Sequence, residues 1–309
     1  METRKLVKAG VGSFTISLPK SWLVKNNLER GSILYIDEKS DTELLITAAL
    51  TQRPKEVKDI VISTKGKDVQ EIQREITSAY VNNYGVIRIE GDDLVEKVEE
   101  VRKILNDYIG LEVIEQTASK IKVKDLIDLN EISVDSTIRR MDMIIRSIFI
   151  DALALGKNMT KSIELREYDI NRLYFLLFRL VKNSLSNSAV AEKFKISNVQ
   201  AMAYWYYALN LKEIGDRLKK LTLAMNEKNK KQLVSVVEEI QKSYLDLMKA
   251  NEKKNKKLAS DVVSRRADII KKAVDVLKVD KETAHIIGNI TEIETNICNL
   301  ARMVIDSEV

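Results

Sequence analysis

The sequence predicts an α+β protein in three parts: a swapped-hairpin β domain over 1–53, a small α/β layer over 54–128 and an all-α region over 129–309. Three observations predict it. Residues 13–18 alternate apolar and polar side chains, the period of a half-buried strand. Residues 59–123 switch between strand-like and helix-like patterns. From Leu129 onward apolar residues recur at helical spacing, and Pro19 and Pro54 are the only prolines in 309 residues, so long helices run unbroken.

In the first part, Phe14, Ile16 and Leu18 fall on one side of the strand and Ser13, Thr15 and Ser17 on the other. Pro19 ends it, having no amide hydrogen for a ladder, and its fixed φ suits the first turn of a helix over 19–26. That helix sets Trp22 and Leu23 against the sheet. Glu29-Arg30-Gly31 reads as a turn, and Ile33, Tyr35 and Leu44-Leu45-Ile46 mark a second strand pair joined at 38–41. Arg4, Lys5, Lys8, Lys20, Lys25 and Arg30 all lie in the first thirty residues, opposed there only by Glu2 and Glu29. Such a cluster attracts phosphate with a salt-dependent affinity, and the hydroxyls of Ser13 and Thr15 are placed to add hydrogen bonds to a nucleic-acid backbone.

Arg4 to Lys8, then Gly12-Ser13-Phe14-Thr15-Ile16-Ser17-Leu18-Pro19-Lys20-Ser21-Trp22, then Leu28 to Ile36 come in the order and spacing of the SpoVT/AbrB-like DNA-binding domain, which residues 1–50 therefore resemble. The resemblance implies a domain-swapped dimer whose paired hairpins lay basic residues on DNA. The other reading of the same surface is a solvated face on a domain that only dimerises.

Residues 51–56, with Arg53-Pro54-Lys55, read as a linker. Strands follow at Asp59-Ile60-Val61-Ile62-Ser63, Gly85 to Glu90, Leu111 to Glu115 and Lys120 to Val123. Helices are expected over 68–83, from the spacing of Val69, Ile72, Ile76, Ala79 and Tyr80, and across Leu94, Val98, Val101, Ile104 and Leu105. Gly66, Gly85, Gly91 and Gly110 are scattered and form no phosphate-cradling loop, so this layer reads as a structural connector.

Six helices are expected after it, over 133–155, 162–186, 197–225, 231–249, 257–277 and 281–305. Gly156-Lys157-Asn158 suits a C-cap, Ser197 or Asn198 an N-cap, and 279–282 a break. Short breaks between amphipathic helices argue antiparallel neighbours in bundles. An apolar-x-Glu-Ile pattern recurs at Leu211-Lys212-Glu213-Ile214 and Ile290-Thr291-Glu292-Ile293, where a tandem three-helix protein would repeat itself.

Ile214-Gly215-Asp216 and Tyr168-Asp169-Ile170-Asn171-Arg172-Leu173-Tyr174-Phe175 make residues 130–309 similar to the PhoU family of phosphate-uptake regulators. The resemblance implies two tandem three-helix bundles, contact with a phosphate ABC transporter ATPase or a signalling kinase, and paired carboxylates that hold Fe or Zn clusters. The chain departs from that pattern. Lys212 stands where the first carboxylate belongs, and Thr291 and Thr295 stand at both positions of the second motif. Glu213, Asp216, Asp169 and Glu292, with Glu167, remain as candidate ligands, set against a solvated acidic face. No cofactor is required by these residues.

The net charge of +5 is mild, so only its local clustering speaks for nucleic acid. Cys298 is the sole cysteine, which excludes an intrachain disulfide, and with His285 the sole histidine no Cys–His or Ser–His–Asp arrangement is assembled convincingly. Tyr204-Trp205-Tyr206-Tyr207 reads first as core packing, but a run of four covers all sides of a helix, so one or two of them are candidates to face a partner subunit or protein. No apolar run spans a membrane and no signal-peptide core opens the chain, so a cytoplasmic location is expected. Together these point to a non-enzymatic, dimeric, DNA-binding regulator of phosphate uptake, or else to an adaptor acting through protein contacts.

Overall fold

The structure, a computed structural model, describes residues 3–10, 12–40, 42–48, 58–154, 159–186, 194, 196–226, 229–277 and 283–307. The expected linker at 51–56, the C-cap at 156–158 and the break at 279–282 lie outside the described residues. The fold is α+β, small sheets followed by a helical region. The chain divides into two compact units, Met1–Glu56 and Val57–Val309. The α/β layer and the long helices, expected as 54–128 and 129–309, thus belong to one unit.

In the first unit, β1 (Val7–Lys8) pairs antiparallel with β2 (Phe14–Thr15). Their turn is closed by the Ala9 amide donating to the Ser13 carbonyl at 2.9 Å, with Gly10 at φ 83°. Helix α1 (Lys20–Lys25) starts after Pro19, and β3 (Tyr35–Ser40) pairs antiparallel with β4 (Glu43–Thr47). Trp22 and Leu23 are half-buried. The strand expected over 13–18 is only two residues long, because β1 offers it only two partners. On its apolar side Leu18 is half-buried, but Phe14 is 65% and Ile16 49% exposed, since a two-stranded ribbon has no second layer to cover them.

The second unit opens with β5 (Asp59–Ser63), α2 (Val69–Val81), β6 (Val86–Glu90), α3 (Leu94–Asn106), β7 (Leu111–Gln116) and β8 (Lys120–Asp125). The sheet runs β5-β6-β8-β7: β5 and β6 are parallel across α2, and β8 sits antiparallel between β6 and β7. Helix α2 begins where it does because Asp68 and Glu71 form a reciprocal capping box. Ile62, Ile72, Ile76, Ile87, Ile121 and Val123 fill the space between helices and sheet.

A 3-10 turn (Leu129–Glu131) leads to α4 (Val134–Ala154), α5 (Met159–Ser186), α6 (Asn198–Ala224), α7 (Lys230–Glu252), α8 (Lys256–Leu277) and α9 (Ala284–Asp306). Helix α6 is capped by Ser197, reciprocally with Gln200. Helices α4, α5 and α6 pack on one another, as do α7, α8 and α9. The two sets meet where α6 packs on α9 and α4 on α7, and one apolar core runs through both. The α/β layer is fastened to α5. Phe175 and Phe178 pack against the layer's core. Arg179, 2% exposed, donates from Nε to Asn83 Oδ1 at 3.1 Å, pairs with Asp125, and lies 4.8 Å over the Tyr80 ring.

Candidate functional site

The basic residues singled out in the first unit are all exposed. Arg4 and Lys5 precede β1, Lys8 ends it, Lys20 and Lys25 begin and end α1, and Arg30 lies in the turn before Gly31, whose φ is 91°. Among the described residues no ion pair engages Lys5, Lys8, Lys20, Lys25 or Arg30. Their charges therefore stand toward solvent uncompensated. Ser13 and Thr15 are placed differently from the expectation. The Ser13 hydroxyl donates to the Ala9 carbonyl and the Thr15 hydroxyl to the Val7 carbonyl at 3.3 Å. Both hydrogens are spent inside the hairpin, so in this conformation neither is offered to a phosphate oxygen. Leu6, Val7, Phe14, Val24, Ile33 and Ile36 are exposed in the same unit, Ile33 at 72%.

The carboxylates gather elsewhere, between α5 and α6. Lys212 Nζ bonds Asp216 at 2.6 Å and Glu213 at 3.2 Å. Two turns after Lys212, Lys219 Nζ bonds Glu167 at 2.7 Å, and Glu167 also accepts from Asn171 Nδ2 at 2.6 Å. Burial and the neighbouring Asp216 push Glu167 above the ordinary carboxylate range, although Lys219 pulls the other way. Burial also acts to raise Asp216, but hydrogen bonds from Glu167 and Lys212 outweigh it and hold that carboxyl low. The two neighbouring acids are thus pushed in opposite directions, Glu167 up and Asp216 down. Asp169 is half-buried on α5. Glu292 is exposed on α9, in a cleft of about 710 Å³ beside Arg217, Lys220 and His285.

These residues do not fit a metal cluster. A lysine ammonium lies between Glu213 and Asp216, where a cation would have to sit. Glu292 stands among cationic side chains. Among the described residues no three or more His, Cys, Asp or Glu side chains gather as ligands. Cys298 is buried, and burial with the nearby Glu294 pushes its thiol up to about 11, so it stays protonated. Of the aromatic run, Tyr207 is buried with its hydroxyl 3.4 Å from Met248 Sδ, while Trp205 and Tyr206 are exposed.

Sequence reasoning missed two features. Glu294 is fully buried on α9, and neither carboxylate oxygen has a hydrogen-bond partner. The signal was present, since Glu294 interrupts the apolar stripe of Ile290, Ile293 and Ile297. The second is a cavity of about 230 Å³ lined by Gln73, Asp107, Tyr168, Asn171, Arg172, Phe175 and Lys212. The sequence singles out Tyr168 to Phe175 and Lys212, but no signal joins them to Gln73 and Asp107, because the lining comes from four separate elements. Among the described residues no helix is long and apolar enough to cross a membrane. Compared with family models, curated proteins and solved structures, the chain matches none.

Proposed function

We propose that the chain is a dimeric, DNA-binding transcriptional regulator whose second unit receives the signal. The observation that carries this reading is the uncompensated charge of Lys5, Lys8, Lys20, Lys25 and Arg30 on a small unit whose apolar side chains are left exposed. Unpaired cations on one small surface draw in phosphate backbone. Exposed Phe14, Ile33 and Ile36 need a second copy of the unit to cover them, and the resemblance to swapped-hairpin domains supplies the form of that dimer. The likeness of the helical region to phosphate-uptake regulators adds phosphate homeostasis as the process controlled. A change in packing within the second unit would then alter the spacing of the paired hairpins.

A second reading is supported by a separate observation. Val199, Met202 and Tyr206 recur at i, i+3 and i+7 on α6 and are exposed, with Trp205 beside them. Such a stripe suits a protein partner, a transporter ATPase or signalling kinase, and makes the chain an adaptor whose first unit only dimerises.

Fluorescence anisotropy of labelled DNA from upstream of the chain's own gene separates the two. The full chain is compared with one lacking residues 1–53, over a range of salt. The regulator reading expects sequence-dependent binding that vanishes with the truncation. It also expects Lys8→Ala, present in both copies, to lower the slope of log K against log salt by about two. Absent binding, or weak binding equal on all DNA, leaves the adaptor.

A further inference from the structure

We propose that the cavity where the α/β layer meets α5 binds a small zwitterion of the amino-acid class, Arg172 taking its carboxylate and Asp107 with Asn171 taking its ammonium. The inference is independent of the DNA-binding reading.

The cavity holds about 230 Å³ between Gln73 on α2, Asp107 at the end of α3, and Tyr168, Asn171, Arg172 and Phe175 on α5. That is below the size of a drug-like site and suits a compact molecule. Two of its lining side chains are unsatisfied, with opposite polarity. Arg172 Nε is shielded from solvent and bonded to nothing, its guanidinium resting 5.7 Å over the Tyr168 ring. Asn171 Oδ1 is likewise shielded and unpartnered, while its Nδ2 donates to Glu167. A buried donor and a buried acceptor left open each cost free energy until something bonds them.

Lys212 also lines the cavity, but its charge is already taken by Asp216 and Glu213. Asp107 is half-buried. Burial pushes its carboxyl up, and a hydrogen bond from Tyr168 and the charge of Arg172 partly offset this. The groups left to an occupant are therefore the Nε of the Arg172 guanidinium and the Oδ1 of Asn171, with the Asp107 carboxyl, already held by Tyr168, lining the same cavity. A guanidinium is best satisfied by a planar oxyanion. An amide oxygen and a carboxyl lining one cavity are together best satisfied by a cationic donor. A simple anion serves only the first and a simple amine only the second. A molecule with both charges a few bonds apart serves both, and the rings of Tyr168 and Phe175 offer apolar surface to its side chain. Since α2 and α3 form one wall and α5 the other, an occupant ties the layer to the helices.

The test uses the full chain. Thermal unfolding is followed with each standard amino acid in turn, and the one with the largest shift is titrated calorimetrically. At about tenfold its Kd the ligand should raise Tm by about 2 °C or more, with one site per chain. Its N-acetyl and its methyl-ester derivatives each remove one charge and should bind about tenfold more weakly or worse. Arg172→Gln should abolish the shift. Arg217→Gln, at a second arginine whose shielded Nε is unpartnered but which lines the separate α6–α9 cleft, should preserve it. If Arg172→Gln does not fold, the blocked derivatives still decide the question on the unaltered chain. No shift with any amino acid, equal binding of the blocked forms, or equal loss in both arginine variants would overturn the proposal.

Discussion

Glu294 occupies a core position of α9 with both carboxylate oxygens unbonded, and desolvation pushes it up to about 8, against the opposing charges of Arg266 and Arg265. In the unfolded chain it ionises near 4.5. Between those values the folded state keeps a proton that the unfolded state has released. Stability from this group is fully present below the unfolded value, falls by about 1.4 kcal/mol per pH unit through the window, and levels off above the folded value. Glu294→Gln keeps the shape and removes the titration. Urea midpoints should then show the variant gaining on the wild type by about 3–4 kcal/mol between pH 5 and pH 8, a little less than that slope over three pH units because the titration rounds off near each pKa. Parallel pH profiles for the two proteins would mean that Glu294 is not buried as a neutral acid. Lys212 makes the complementary case, a cation between carboxylates. Lys212→Glu places a further carboxyl beside Glu167, Glu213 and Asp216 and should cost about 3 kcal/mol, because it replaces an attraction by a repulsion at a half-buried site. Added Zn²⁺ or Mn²⁺ should restore the melting temperature of the variant and leave that of the wild type unchanged. A metal response equal in both, or a variant as stable as the parent, would show that Lys212 does not hold these acids together.

At the scale of elements, the helices were legible because their signals are local. The spacing of Val69, Ile72, Ile76, Ala79 and Tyr80 marks α2, and Ser197 or Asn198 marks the start of α6; the reciprocal caps Asp68–Glu71 and Ser197–Gln200 are equally local. The two-residue strand β1 was not legible, since so short a segment has no period. The pattern over 13–18 overstated β2 because alternation reports which side a residue faces, not whether a partner strand exists. The joint between layer and helices was invisible for another reason. Arg179, Asn83 and Asp125 are far apart in sequence, and each alone reads as an ordinary surface polar residue. The candidate cavity was hidden in the same way, with Gln73 and Asp107 brought to α5 only by that joint. Arg179→Ala leaves Asp125 buried without its partner and should cost about 3–5 kcal/mol. Arg179→Lys should recover little of this, because an ammonium lacks the fork that reaches Asn83 and Asp125 together and stacks poorly on Tyr80. Denaturant midpoints decide it. Full rescue by lysine would reduce the joint to a single charge pair.

For the whole molecule, the two units contrast in how they keep apolar surface from water. Residues 57–309 bury two apolar cores of their own, one in the layer and one through the helices. The first unit contributes no residue to the buried core among those described, and it leaves Leu6, Val7, Phe14, Val24, Ile33 and Ile36 exposed. A chain of this length rarely folds alone without a core, disulfide or metal, and Cys298 lies in the other unit. Burial of apolar surface is worth about 25 cal/mol per Å², so each of these side chains favours association if a second copy covers it. Stability of the first unit should therefore depend on protein concentration, while that of the second should not. Amide hydrogen exchange over a wide dilution series reads both at once. Protection of β1 to β4 should fall as the chain is diluted, and protection of the sheet β5 to β8 should stay constant. If β1 to β4 keep their protection at the lowest concentration, a single copy holds the first unit folded. The exposed apolar side chains would then have to be covered from within the same chain, and the dimer would lose its physical basis.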